Sequence, residues 1–133
     1  MKTPALGTLI FAMLAATNIL ADDIVVIVNP EAKPISKEQV ADAYLGRGGS
    51  LTPIDQTVGS PIYTEFYKKA TGRDIAQVKA IWSRILFTGR GLPPKQLADS
   101  AAVKRAVAAN PNAVGYIYKS AMDASVKVAL PLD

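Results

Sequence analysis

The chain has 133 residues, 15 basic and 11 acidic, with no His and no Cys, and half of its residues are hydrophobic. That composition excludes disulfide scaffolds, thiol catalysis, lipid attachment through Cys, zinc sites built on His or Cys, and His-based acid–base chemistry. The net charge of +4 is spread without any Lys/Arg block; it permits an anionic ligand or an envelope surface and gives no reason to expect nucleic acid.

The first residues read as an address. Lys2 supplies a positive start, Leu6 to Ala16 is an uncharged apolar run, and Ala21 is the expected last residue of a secretory signal peptide, with Ile19 unusual at the position three residues before the cut. The run is too short to remain as a membrane span. Residues 1–21 are therefore expected to be a signal and residues 22–133 one domain, large enough for a single hydrophobic core. The expected destination is the periplasm, with no span left after the signal is removed.

Ile24 to Val28 is a β-branched run closed by Asn29-Pro30, the pattern of a strand buried on both faces. Ser36, with Gln39 three residues on, opens a helix through Val40, Ala43 and Tyr44 that Gly46 stops. Leu51 to Asp55 predicts a short strand, made weak or peripheral by Pro53. Ser60 then opens a second helix as its N-cap, its hydroxyl accepting a backbone N–H, with Pro61 at the first helical position. Ile62, Phe66 and Ala70 form the buried stripe of that helix, Tyr63 and Tyr67 lie alongside, and Gly72 ends it.

Asp74 and Gln77 cap a third helix, whose apolar face is Ile75, Val78, Ile81, Trp82, Ile85 and Leu86. Thr88 to Pro94 reads as a rigid loop. Asp99 or Ser100 opens a short helix through Val103 and Val107 to Asn110-Pro111, and Ala113–Tyr118 and Val126–Leu130 are two closing strands. The order β-α-β-α-α-α-β-β predicts an α/β domain with a mostly parallel sheet flanked by helices.

Five segments carry a family resemblance. They are Val26 to Pro30; Ser36 to Gly46, ending Tyr44-Leu45-Gly46-Arg47; Asp55 to Phe66; Trp82-Ser83-Arg84 with Phe87-Thr88-Gly89-Arg90-Gly91; and Asn110-Pro111-Asn112-Ala113-Val114-Gly115-Tyr116-Ile117. In this order they resemble the phosphate-binding-protein-like group of type II periplasmic solute-binding proteins. The resemblance covers nearly all of residues 22–133 and implies one lobe of that three-layer fold. Gly115 is expected to allow close backbone approach.

The resemblance implies an oxyanion site where the second strand enters the Ser60 helix, because a helix start offers free N–H groups and the positive end of a dipole. Asp55, Gln56, Ser60, Ile62, Tyr63 and Arg90 are the candidate ligand-binding residues, and phosphate or a similar oxyanion is the implied ligand. The departures matter. Where the family has Arg the chain has Gln56, and where it has Ser-Gly-Thr the chain has Ser60, Pro61 and Ile62. A bidentate cation, a backbone N–H and a hydroxyl donor are lost at those positions. One lobe is also only half of a clamp.

Other readings stand beside these. Asp55 and Gln56 also fit a solvated turn. Arg84, Arg90 and Lys95 are a candidate basic rim, and Tyr63, Tyr67, Tyr116 and Tyr118 fit either a ligand stack or the edge of the core. No nucleophile–base constellation is visible, so no enzyme and no cofactor or metal are expected. Two functions follow: an oxyanion-binding lobe like the solute-binding component of an ABC transporter, or an interaction module that has lost solute binding and docks on an ABC permease or another envelope protein.

Overall fold

The computed structural model describes residues 23–132. The expected signal lies outside the described residues. Five strands and four helices follow in the order β1 (Ile24–Val28), α1 (Lys37–Tyr44), β2 (Thr52–Gln56), α2 (Pro61–Thr71), α3 (Ile75–Phe87), β3 (Lys95–Leu97), α4 (Ser100–Ala108), β4 (Ala113–Tyr118) and β5 (Lys127–Leu132), with a short 3-10 turn at Lys119–Ala121.

Strand alternation builds three layers. On β1, Ile24, Val26 and Val28 enter one core with Val40, Tyr44, Phe66, Tyr67, Val78 and Tyr116 from the side of α1, α2 and α3. Val25 and Ile27 enter a second core with Val103, Val107 and Ile117 on the side of α4. A strand apolar at every position is thus an interior strand of a sheet covered on both faces. Gly115 lies on the α4 face; a Cβ there would come 2.6 Å from the Val103 side chain, so the glycine sets how closely α4 packs.

The strand order is β3-β2-β4-β1-β5. β2 pairs parallel with β3 and with β4, and β1 pairs antiparallel with β4 and with β5. Four strands therefore run one way and β1 runs against them. The sheet is mixed where alternation of strand and helix predicts a mostly parallel one: the pairings of β2 are parallel and both pairings of β1 are antiparallel.

β2 is an interior strand, contrary to the expectation from Pro53. β3 joins only from Ile54 onward, so on that side Pro53 has no ladder bond to lose. β3 itself lies just beyond the segment read as a loop. Both capping boxes form, at Ser36 with Gln39 and at Asp74 with Gln77, and Asp99 caps α4 through the Ala102 N–H. Leu86, expected on the buried face of α3, is 48% exposed, while Val78 and Ile85 are buried.

Candidate functional site

β2 ends at Gln56 beside the ends of β3 and β4, and the turn at residues 57–60 delivers the chain into α2. The carboxyl ends of parallel strands are where open α/β sheets bind ligands. The six candidate residues meet different fates there.

Asp55 is not a solvated turn residue. It is 3% exposed, and both of its oxygens are taken: the Tyr116 hydroxyl donates to Oδ1 at 2.6 Å and the Tyr67 hydroxyl donates to Oδ2 at 2.7 Å. Burial raises its pKa to about 6, against the opposing pull of the two tyrosine hydrogen bonds. At neutral pH it is a buried carboxylate without a cation among its partners. Tyr67 and Tyr116 are pushed up in turn, first by burial and then by the Asp55 charge, and stay protonated donors.

Gln56 is also interior, 4% exposed. Its backbone N–H donates to the Tyr116 hydroxyl. Its side-chain amide donates to Ser100 Oγ at 3.1 Å and to the Tyr116 carbonyl at 3.0 Å, tying β2 to β4 and to the first turn of α4. Both amide hydrogens are thereby used.

Around this pair sits an aromatic cluster. Phe66 stacks on Tyr116 with centroids 3.8 Å apart, and Tyr44 meets Phe66, Tyr67 and Tyr116 edge-on. The Tyr44 hydroxyl faces the carbonyls of Ile54 and Val114, bridging β2 and β4. Tyr67 and Tyr116, which from sequence fit either a ligand stack or the edge of the core, are fully buried in it.

Ser60 occupies the N-cap position of α2 but makes no side-chain capping bond. Its hydroxyl donates instead to the Thr57 carbonyl at 2.6 Å, which corrects the expectation of an accepting cap. Thr57 Oγ1 in turn points at the Leu97 and Ala98 carbonyls, and the Val58 N–H donates to the Gln96 side chain, so the turn is stitched to β3. The Ile62 and Tyr63 side chains are buried in the core, which leaves their backbone N–H groups as the turn's possible donors. The Asp55 charge reaches Tyr63: burial first and that charge second raise its hydroxyl pKa.

Arg90 stands apart. Its backbone N–H donates to the Ile85 carbonyl in the turn leaving α3, ahead of the first residue of β3. No hydrogen bond or ion pair joins its side chain to the 55–63 turn among the described residues. A cavity of about 540 Å³ lies elsewhere again, lined by Glu31 to Ile35, Arg47 to Leu51 and Asn112, where β2 and β4 begin. Among the described residues, no group of His, Cys, Asp and Glu side chains is arranged to hold a metal ion, and no helix is long and apolar enough to cross a membrane.

No family model matches the chain, and no curated protein matches its sequence. Solved structures do match its shape. One is a protein from Clostridium perfringens described as a phosphate ABC transporter substrate-binding protein, with bound phosphate; it aligns at TM-score 0.63 and 21% identity over 80% of this chain and 44% of its own. Another is an ABC-type phosphate transport receptor from Vibrio cholerae, at TM-score 0.62 and 20% identity over 80% of this chain and 45% of its own. The chain thus spans less than half the length of either, and its mixed five-stranded sheet with flanking helices is the fold of one lobe of such a binding protein.

Proposed function

We propose that this chain is an exported, non-enzymatic lobe of the phosphate-binding-protein type that acts in the periplasm as an interaction module, docking on an ABC permease or another envelope protein, and does not capture a solute by itself. The observation that carries this reading is the state of Asp55 and Gln56. The strand end that would face an oxyanion is interior and internally satisfied, and it holds a buried negative charge felt in the first turn of α2. A carboxylate at that position opposes a second anion. Pro61 removes one backbone donor and the Ser60 hydroxyl is turned to Thr57.

One observation favours the other reading. The N-terminus of α2 has no side-chain cap, so the N–H groups of Ile62 and Tyr63 are available to a weakly held oxyanion. Phosphate titrated into residues 22–133 by calorimetry separates the two. The docking reading expects no heat at millimolar phosphate, and expects a partner retained from envelope extract to resist displacement by phosphate. Saturable phosphate binding that Ser60→Ala weakens would overturn it in favour of oxyanion capture.

A further inference from the structure

The turn after α3 carries the two most exposed large hydrophobic side chains among the described residues. Phe87, the last residue of α3, is 93% exposed, and Leu92 is 82% exposed. Between them the chain turns back on the helix: the N–H groups of Thr88, Gly89 and Arg90 donate to the carbonyls of Arg84, Leu86 and Ile85, and Gly91 comes to rest near the Ile85 side chain. Pro93 and Pro94 stiffen the exit. The two apolar side chains therefore protrude from a short, internally bonded turn.

The charge pattern is as uneven as the exposure. Residues 75–98 hold Lys79, Arg84, Arg90 and Lys95 and no Asp or Glu. Those four account for the chain's net charge of +4, since the other 11 basic residues balance the 11 acidic ones. The described ion pairs are Arg47 with Asp42, Lys69 with Glu65 and Lys104 with Asp123; none involves the four cations of this segment.

We infer that this turn is a membrane-surface contact, with Phe87 and Leu92 entering the interface of a bilayer and Arg84, Arg90 and Lys95 meeting anionic phospholipid headgroups. Protruding apolar side chains with exposed cations close by in sequence, none in a described ion pair, match both halves of such a surface, the apolar boundary and the negative headgroup layer. A protein partner for the same residues would have to supply a pocket for each apolar side chain together with acidic groups, whereas an anionic bilayer presents both everywhere. The contact lies on the membrane and does not cross it.

The test is co-sedimentation of residues 22–133 with phosphatidylcholine vesicles, with and without about one-third phosphatidylglycerol. Residues 1–21 are omitted because their apolar run would bind lipid by itself; both cores of the described residues lie within Ile24–Leu132. Binding is expected to the anionic vesicles only and to weaken with salt. Phe87→Ser with Leu92→Ser is expected to lower it about tenfold or more, and Arg84→Gln with Arg90→Gln about tenfold, with unchanged circular dichroism. No binding to anionic vesicles, or binding that neither pair of substitutions alters, would overturn the assignment. So would capture of an acidic envelope protein through these residues when the vesicles are not bound.

Discussion

At the end of β2, the carboxylate of Asp55 is filled by Tyr67 and Tyr116 and sealed from water; at the turn after α3, Phe87 and Arg90 reach into solvent without a partner. Both regions combine aromatic rings with charge. In the first, the rings enclose the charge and their hydroxyls satisfy it, which produces rigidity and leaves little to offer a ligand. In the second, rings and charges stand side by side facing outward, which adds nothing to the fold and leaves everything for a partner. If the lobe is a docking module, its binding capacity lies where interactions are unmade.

The contrast predicts large stability effects at the first region and negligible ones at the second. Tyr116→Ala removes the stack on Phe66 and one of the two hydroxyls on Asp55; a cost of about 4 kcal/mol is expected in urea denaturation. A loss below 1 kcal/mol would mean that the cluster is not the keystone its geometry implies.

The pH dependence is the next largest effect. The Asp55 carboxyl rises from 3.8 to about 6 on folding. Below pH 4 it is protonated in both states. Between pH 4 and 6 only the unfolded chain releases the proton, so stability falls as pH rises, by about 3 kcal/mol in all from this group. Asp55→Asn should flatten that slope in denaturation curves measured from pH 4 to 7. A wild-type slope of the opposite sign in that window, unchanged by Asp55→Asn, would argue against a desolvated carboxylate.

Smaller still is the difference between two helix starts. Asp74 accepts the Gln77 N–H, whereas Ser60 makes no capping bond. Asp74→Ala should cost about 1 kcal/mol and Ser60→Ala a few tenths. At the bottom of the scale, Phe87→Ser with Leu92→Ser should leave the midpoint within about 0.5 kcal/mol of wild type, while removing the lipid contact.

Much of this is legible in the residues. Ser36 with Gln39 and Asp74 with Gln77 are local patterns, and local patterns survive folding because their partners lie three positions away. The run Ile24–Val28 announces a strand buried on both faces, and Gly115 announces close packing, here of α4. What is not legible depends on distant partners. Lys95–Leu97 has no apolar alternation and becomes a strand only because β2 pairs with it. The direction of β1 is seen only in its antiparallel pairing with β4 and β5, both distant in sequence.

The candidate site shows the same division. Asp55 as a strand residue is readable, but its burial is not, since the two hydroxyls that make it tolerable come from residues 67 and 116. The signal that could have found them is the chain's concentration of tyrosines on buried faces of α1, α2 and β4. Ser60 has the identity of a cap and the neighbours of a turn; the turn won, because the Thr57 carbonyl lies within reach of the hydroxyl.

The interior position of β1 between β4 and β5 has a consequence for how the molecule comes into being. Its two partners are Ala113–Tyr118 and Lys127–Leu132, the two described strands most distant from it in sequence. Until those residues pair with it, the five-residue run Ile24–Val28 has no sheet edge to join. Pairing over so long a stretch of chain slows commitment to the native topology and leaves a β-branched segment exposed to aggregation until it is made.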